Sequence, residues 1–286
     1  MTLYVLDLGG GSVQTAVWDK ELQAVSSFKT PATMNEMIDR IAADFEERRQ
    51  TFEGIAISAP GIVDQERREI RGLSAIPYIH THSLWDLLEE RLGVPVVIEN
   101  DAKCSGICEM QVGAGKNYQD ALFFVIGTGV GGAVFIDGKL HRGRDLSAGE
   151  FGMMIGNNGK TLSYNGTVSN MARFYSQETG QQVDGKQLFE AMYAGDEVAE
   201  SYITRMFEAL AQKIFELQVA LDVEVVIISG GISVRSDLIE QLAPYVDRFF
   251  KEREVELLRP EIKVAHYANS SNLIGAALNF LEQQAH

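Results

Sequence analysis

The residues best suited to chemistry stand together at Val96-Val97-Ile98-Glu99-Asn100-Asp101. Three β-branched apolar residues read as a buried strand that ends in a polar cluster, and Ala102–Met110 follows with helical spacing. A carboxylate at the carboxyl end of a strand, beside a helix start, lies where open α/β sheets hold their ligands. Asp101 can act there as a cap for the helix N–H groups or as a base that takes a proton from a bound hydroxyl. The joint by itself favours the cap. A base needs a reaction partner elsewhere in the chain.

Glycine supplies one. Leu8-Gly9-Gly10-Gly11-Ser12-Val13-Gln14-Thr15-Ala16-Val17-Trp18-Asp19 superimposes without a gap on Ile126-Gly127-Thr128-Gly129-Val130-Gly131-Gly132-Ala133-Val134-Phe135-Ile136-Asp137. Each run reads as strand, glycine turn, strand, Asp. Backbone N–H groups in such turns can crowd against phosphate oxygens, because no side chain obstructs them. Ser12 or Thr128 can add a hydroxyl. Two such hairpins facing one cleft would hold a nucleotide's phosphates from both sides, and their repetition predicts a duplicated fold.

Two other readings of the glycines fail. Gly127 to Gly132 matches G-x-G-x-x-G, with Glu150 downstream, but a dinucleotide site needs a helix at the third glycine. Here Ala133–Ile136 reads as strand and Asp137-Gly138 as a hairpin turn. Gly113-Ala114-Gly115-Lys116 has Met110 where a P-loop needs its first glycine, and Asn117 in place of Ser or Thr.

The elements that must position these residues follow from periodicity. Strands are predicted at 3–8, 12–18 and 22–28, a helix at 35–49, a strand at 55–59, a helix at 83–92 and the strand at 95–99. That βββαβαβα order makes a mixed sheet covered by helices. The pattern breaks at Gly113–Asn117 and restarts with strands at 121–126 and 133–136. Helices follow at about 168–179, 186–194, 197–221 and 235–250, strands at 223–228 and 261–267, and a last amphipathic helix at 272–283. The expected division is 1–116 with 272–286 as one lobe, and 117–271 as the other.

Bulk composition bounds the rest. The 286 residues are 45% hydrophobic and 23% charged, as in globular proteins of one large or two smaller domains. A net charge of -15 argues against nucleic acid as the main partner. Neither a signal peptide nor a run of about 20 apolar residues is present, so a soluble, cytoplasmic protein without membrane partners is expected. Cys104 and Cys108, four apart on one helix face, suit neither a disulfide framework nor a four-ligand zinc site.

Taken in order, Asp7-Leu8-Gly9-Gly10, Glu99-Asn100-Asp101, Ile126 to Gly132, Gly149-Glu150-Phe151-Gly152 and Ser229-Gly230-Gly231 resemble the repressor–ORF–kinase (ROK) sugar kinases. The likeness spans residue 3 to the last helix and is nearest to the zinc-free branch of bacterial β-glucoside and N-acetylmannosamine kinases. It implies a two-lobed actin-like (ribonuclease H-like) ATPase duplication, and ATP-dependent phosphorylation of a sugar hydroxyl with Asp101 as base. By the same resemblance Asn100, Glu150 and the backbone at Gly61 would hold the sugar. Asp7 would hold Mg²⁺, through water. Gly9, Gly10, Gly11, Ser12, Gly127, Thr128, Gly129, Gly131 and Gly132 would meet the phosphates, and Gly230 and Gly231 the adenosine side. A homodimer is implied as well.

The chain departs from the family pattern in three places. Gly11 and Gln14 replace a threonine and a lysine of the first hairpin, removing a hydroxyl and a cation from the phosphate side. Met153 replaces a histidine that binds sugar and zinc, and Lys160–Ser169 lacks the cysteine cluster, so structural zinc is not expected. His80 and His82 are specificity candidates in a loop, while Trp85 lies on an apolar helix face and reads as core. Two rivals to the kinase are a sugar-sensing regulator of the same family, without room for a DNA-binding segment before residue 3, and a sugar-binding pseudokinase suggested by Gly11 and Gln14.

Overall fold

The computed structural model describes residues 1–267 and 270–284. The chain divides into two compact units, one built on Met1–Gln111 with Gly143–Ser147 and the terminal helix, the other on Val112–Arg142 and the chain from Ala148.

In the first unit β1 (Leu3–Leu8), β2 (Ser12–Asp19) and β3 (Glu21–Lys29) form an antiparallel meander, followed by helix α1 (Met34–Glu47) and strand β4 (Gly54–Ala59). A small hairpin, β5 (Ile62–Asp64) with β6 (Glu69–Arg71), comes next; its strands are too short for periodicity to reveal. Helix α2 (Leu84–Leu92), strand β7 (Val96–Asn100) and helix α3 (Asp101–Val112) complete the βββαβαβα order. The sheet runs β3-β2-β1-β4-β7, with β1, β4 and β7 parallel. β4 and β7 are buried at every position, the pattern of parallel strands covered on both faces. Tyr4, Leu6, Ile55, Ile57 and Trp85 share the core of this unit. Trp85 is fully buried, as its helix face requires, and its indole N–H donates to Gln65 Oε1 at 2.9 Å.

The second unit repeats the plan. β8 (Ala121–Ile126), β9 (Val130–Ile136) and β10 (Lys139–Leu140) are antiparallel neighbours, and helices α4 (Leu162–Asn165), α5 (Val168–Thr179), α6 (Gly185–Tyr193) and α7 (Glu197–Leu221) follow. β11 (Val225–Ser229), helix α8 (Leu238–Lys251) and β12 (Glu261–Val264) complete a sheet of order β10-β9-β8-β11-β12. The last strand is shorter than the expected 261–267. Strand order and orientation match the first sheet, so the chain has the actin-like duplication, each half a mixed sheet with helices.

Helix α9 (Ser271–Gln284) returns to the first unit and packs on β1, β4 and β7. Its approach to α3 needs Gly275, where any Cβ would collide with the Cys104 backbone. α3 is thereby buried on almost every side, including Lys103 and Glu109. Among the described residues no helix is long and apolar enough to cross a membrane.

Candidate active site

In the first unit the site residues sit at the carboxyl edge of three adjacent parallel strands. Asp7 pairs in register with Ser58, Ser58 with Glu99, and Ala59 with Asn100. That edge is where an open sheet presents ligand groups. Asp7 Oδ1 accepts from Ser58 Oγ at 2.6 Å and from Asn272 Nδ2 at 3.1 Å, while Oδ2 takes no hydrogen bond among the described residues. Burial pushes the Asp7 pKa up, against the pull of those two donors. Asn272 also accepts from Ser105 Oγ, so α9 and α3 together fix the amide that meets Asp7.

At the strand–helix joint the cap is Asn100. Its Oδ1 accepts from the Lys103 N–H at 3.1 Å, the bond an N-cap side chain makes, and its Nδ2 donates to the Gly61 carbonyl at 3.0 Å. Asp101 is the first helical residue, half-buried, with Oδ1 accepting from the Ala102 N–H at 2.8 Å. Gly61 has φ +110°, and a Cβ there would come within 2.9 Å of the Arg71 carbonyl and of Ile70, so backbone angle and space both require glycine. His80 packs beside this turn with both ring nitrogens engaged, Nδ1 with the Ile70 carbonyl at 3.0 Å and Nε2 with Ser74 at 2.8 Å. The ring braces the Gly61 turn. His82 is exposed and meets Thr81. The Cys104 thiol, buried behind the strand ends, has its pKa pushed well up by burial and then by the charges of Glu99, Asp7 and Asp101.

The first glycine turn leaves β1 on the same edge. Gly9 N–H donates to the Ser12 carbonyl at 3.0 Å, and Thr30, just past the end of β3, latches the turn: its Oγ1 donates to the Gly9 carbonyl at 2.5 Å and its N–H to the Gly11 carbonyl at 3.3 Å. The N–H groups of Gly10 and Gly11, both exposed, have no partner among the described residues. Two successive unpaired N–H groups make an anion-binding concavity.

In the second unit Gly127-Thr128-Gly129 leaves β8 the same way. Gly127 N–H donates to the Gly129 carbonyl at 2.9 Å, Val130 N–H donates to Ser163 Oγ at 3.0 Å, and the N–H groups of Thr128 and Gly129 have no partner among the described residues. The turn is shorter than expected. Gly131 and Gly132 already belong to β9, and what the missing Cβ of Gly132 accommodates is the Phe151 ring. Gly149, at φ +94°, and Gly152 press their loop against β9. That loop holds Glu150 half-exposed, its carboxylate accepting no hydrogen bond among the described residues, and Met153 is exposed. At the end of β11, Gly230 has φ +86° and lies so near β8 that a Cβ would come within 2.5 Å of the Ile126 carbonyl. Beside it opens a cavity of about 320 Å³, lined by Gly127, Gly231 and the apolar side chains of Ile126, Val168, Phe189 and Ile232. Thus Gly127 and Gly231 join one pocket, whereas Gly131 and Gly132 are drawn into the sheet.

Ser58, Asn272, Thr30 and Ser163 escaped the sequence reading. So did Lys103, a buried ammonium that donates to the Leu146 carbonyl at 2.5 Å and ties the Gly143–Ser147 excursion to the first unit. The polar run Ser270-Ser271-Asn272 ahead of an apolar helix was the one available signal for Asn272.

Each unit offers groups that phosphoryl transfer uses: carboxylates at a polar strand edge in the first, and an open N–H turn in both. Comparison with known proteins agrees. The model of the ROK family matches residues 3–283. A β-glucoside kinase of Listeria monocytogenes is 33% identical over 241 residues, covering 81% of this chain and 80% of the relative. A ROK family protein of Streptococcus pneumoniae, solved with sucrose, superimposes with a TM-score of 0.91 at 33% identity, covering 100% of this chain and 99% of the other. A ROK family glucokinase of Streptomyces griseus, solved with glucose and AMPPNP, gives 0.77 at 26% identity, covering 98% and 99%.

Proposed function

Because the chain belongs to the ROK family, we propose that it transfers the γ-phosphoryl group of ATP to a sugar hydroxyl, with Asp101 as the general base. It is a carbohydrate kinase, as the curated β-glucoside and N-acetyl-D-glucosamine kinases similar to it are. The observation that carries the role of Asp101 is the division of labour at the joint. Asn100 caps α3, so the carboxylate of Asp101 is not spent on the N3 amide. The Ala102 N–H orients Oδ1, and the carboxyl group sits at the positive end of the helix dipole. From there it accepts the hydroxyl proton as the sugar oxygen attacks. Phosphoryl transfer is mostly positioning and charge stabilisation, so one oriented base suffices.

The sugar would lie against the Gly61 turn, with Asn100 and Glu150 holding neighbouring hydroxyls. Glu150 suits that role because its carboxylate accepts nothing from the protein among the described residues. The phosphates would meet the N–H pairs of Gly10–Gly11 and Thr128–Gly129, and the nucleoside would enter the pocket beside Gly231. Mg²⁺ fits the residues present: Asp7 Oδ2 is an uncommitted hard oxygen on a carboxylate that burial makes costly to leave ionised. When bound, the ion would neutralise phosphate charge. The acceptor class is the β-glucoside, N-acetylmannosamine or glucose group, and a homodimer is the expected assembly.

The test is Asp101→Asn. Its kcat should fall by about 10²–10⁴ while AMPPNP affinity holds, because only the proton acceptor is lost. ADP release measured across aryl β-glucosides, cellobiose, N-acetylmannosamine and glucose names the sugar. Wild-type kcat in a folded variant would remove Asp101 from the role, and sugar binding without turnover by the wild type would make the chain a pseudokinase.

A further inference from the structure

The nucleoside pocket has an unusual wall. Lys186 and Phe189 line it from one face of α6, and Tyr193 lies on the same face four residues beyond Phe189, outside the lining. Arg235 reaches across from the segment after β11, its guanidinium 3.6 Å from the Phe189 ring centre and 5.8 Å from that of Tyr193. Arg235 Nη2 donates to Asp237 Oδ2 at 2.7 Å and to Tyr193 Oη at 2.9 Å, and Tyr193 Oη in turn donates to Asp237. A long flexible side chain is thereby pinned as a flat plate, one face on an aromatic ring. Its Nε is buried and has no hydrogen-bond partner among the described residues.

The remaining lining decides what the pocket can read. Its polar side chains are Ser169, Lys186 and Arg235; no carboxylate or carboxamide is among them. Lysine and arginine only donate, and a serine hydroxyl donates or accepts. Adenine offers an amino donor at N6 where guanine offers an acceptor at O6. Selecting adenine needs a fixed acceptor for that amino group; the one side-chain acceptor in the lining is the Ser169 hydroxyl, which rotates and can turn to donate to the guanine oxygen instead. A pocket that recognises a base by shape and stacking discriminates weakly among bases of one size, whereas a hydrogen-bonding edge rejects strongly.

We propose that Arg235, backed by Phe189, is the stacking plate for the nucleobase, and that the pocket accepts purine nucleotides as a class: adenine, guanine and hypoxanthine alike. The inference rests on the kinase reading of this pocket. It extends that reading from ATP to a purine nucleoside triphosphate as donor.

Calorimetric titration of the full-length protein with AMPPNP and GMPPNP in Mg²⁺ tests it without any sugar. The two Kd values should agree within about tenfold. Arg235→Gln should weaken both about tenfold or more, in line with the stacking lost per base, and Arg235→Lys should not restore them, because it returns charge without the plate. Tyr193→Phe, at an exposed ring, should weaken both less, by loosening the brace. Adenine preference above tenfold, unchanged affinity in Arg235→Gln, full rescue by Arg235→Lys, or no binding of either nucleotide by the wild type would overturn the proposal. Failure of the kinase reading looks different: both nucleotides bind as described, yet no sugar is phosphorylated.

Discussion

The hairpin β1–β2 and the hairpin β8–β9 hold equivalent places in sheets of one strand order, and each ends a strand in glycines with two successive N–H groups that have no partner among the described residues. They differ in what surrounds that shared device. Leu8 pairs with Val13 whereas Ile126 pairs with Val130, so the second turn is one residue shorter, although the sequences superimpose without a gap. The first turn follows Asp7 and is latched through its carbonyls by Thr30; the second follows Val125 and is latched through the Val130 N–H by Ser163. Behind the first lie carboxylates and amides at the strand ends, and beside the second lies an apolar cavity. The duplicated fold carries the open N–H turn twice, with carboxylates and amides beside one copy and an apolar cavity beside the other.

Removing the acid that distinguishes the first turn should have the largest effect. Asp7→Asn should lower kcat on the order of 10²-fold by deleting the proposed Mg²⁺ ligand, with sugar affinity retained. Its effect on stability has the opposite sign. Burial raises the folded pKa of Asp7 above its ordinary value of 3.8. The native state then binds more protons than the unfolded chain across the window between the two values. The stability tied to the protonated form is therefore full below the ordinary value and is lost as pH rises through the folded one. Asparagine never ionises and can still accept from Ser58. The variant should melt higher than wild type at pH 7 without Mg²⁺, with the difference vanishing towards pH 3. An unchanged kcat would erase the main contrast between the two turns.

The latches should separate next. Ser163→Ala strands the N–H of buried Val130, which should cost about 1–2 kcal/mol and raise the KM for ATP several-fold. Thr30→Ala strands the carbonyl of half-exposed Gly9, which water can reach, so a smaller loss is expected. Thermal melts with ATP titrations on both variants measure the order, and equal losses would mean the turns are supported alike.

Both glycine hairpins, the order of the longer elements and the joint at Asn100–Asp101 were legible, because each is local and carries a period or a turn residue, whereas the short β5, β6, β10 and α4 were not. The partners of the site were not. Ser58 lies 51 residues from Asp7 and Asn272 lies 265 away, so only the register of β1 on β4 and the return of α9 bring them to it. The cap was read one residue late: Asp101 and Asn100 are equally good caps by type, and the backbone decides which side chain faces Lys103 N–H. Gly131 and Gly132 read as turn residues although both lie in β9, and composition cannot show that Phe151 needs the space at Gly132. His80 read as a loop histidine for the same reason, since its partners Ile70 and Ser74 lie on either side of a turn formed only in the fold.

The smallest predicted effect tests whether the first turn has lost something the second kept. Thr128 gives the second turn a hydroxyl; its counterpart in the gapless superposition is Gly10, and the pattern this hairpin resembles places a threonine one residue further on, at Gly11. Space does not explain the glycine. A Cβ at Gly11 meets nothing within 4 Å, and its φ lies outside the left-handed region, whereas a Cβ at Gly10 would collide with Ala75. Gly11→Thr should therefore fold without strain and gain about 0.4–1 kcal/mol by narrowing the unfolded ensemble. If the open N–H groups of Gly10 and Gly11 hold phosphate, the added hydroxyl is one more donor to a charged oxygen. It should lower the KM for ATP by up to about tenfold. Gly10→Thr is the control that should lose stability at the neighbouring position. A Gly11→Thr variant that melts higher but binds AMPPNP unchanged would show that phosphate does not reach the first turn.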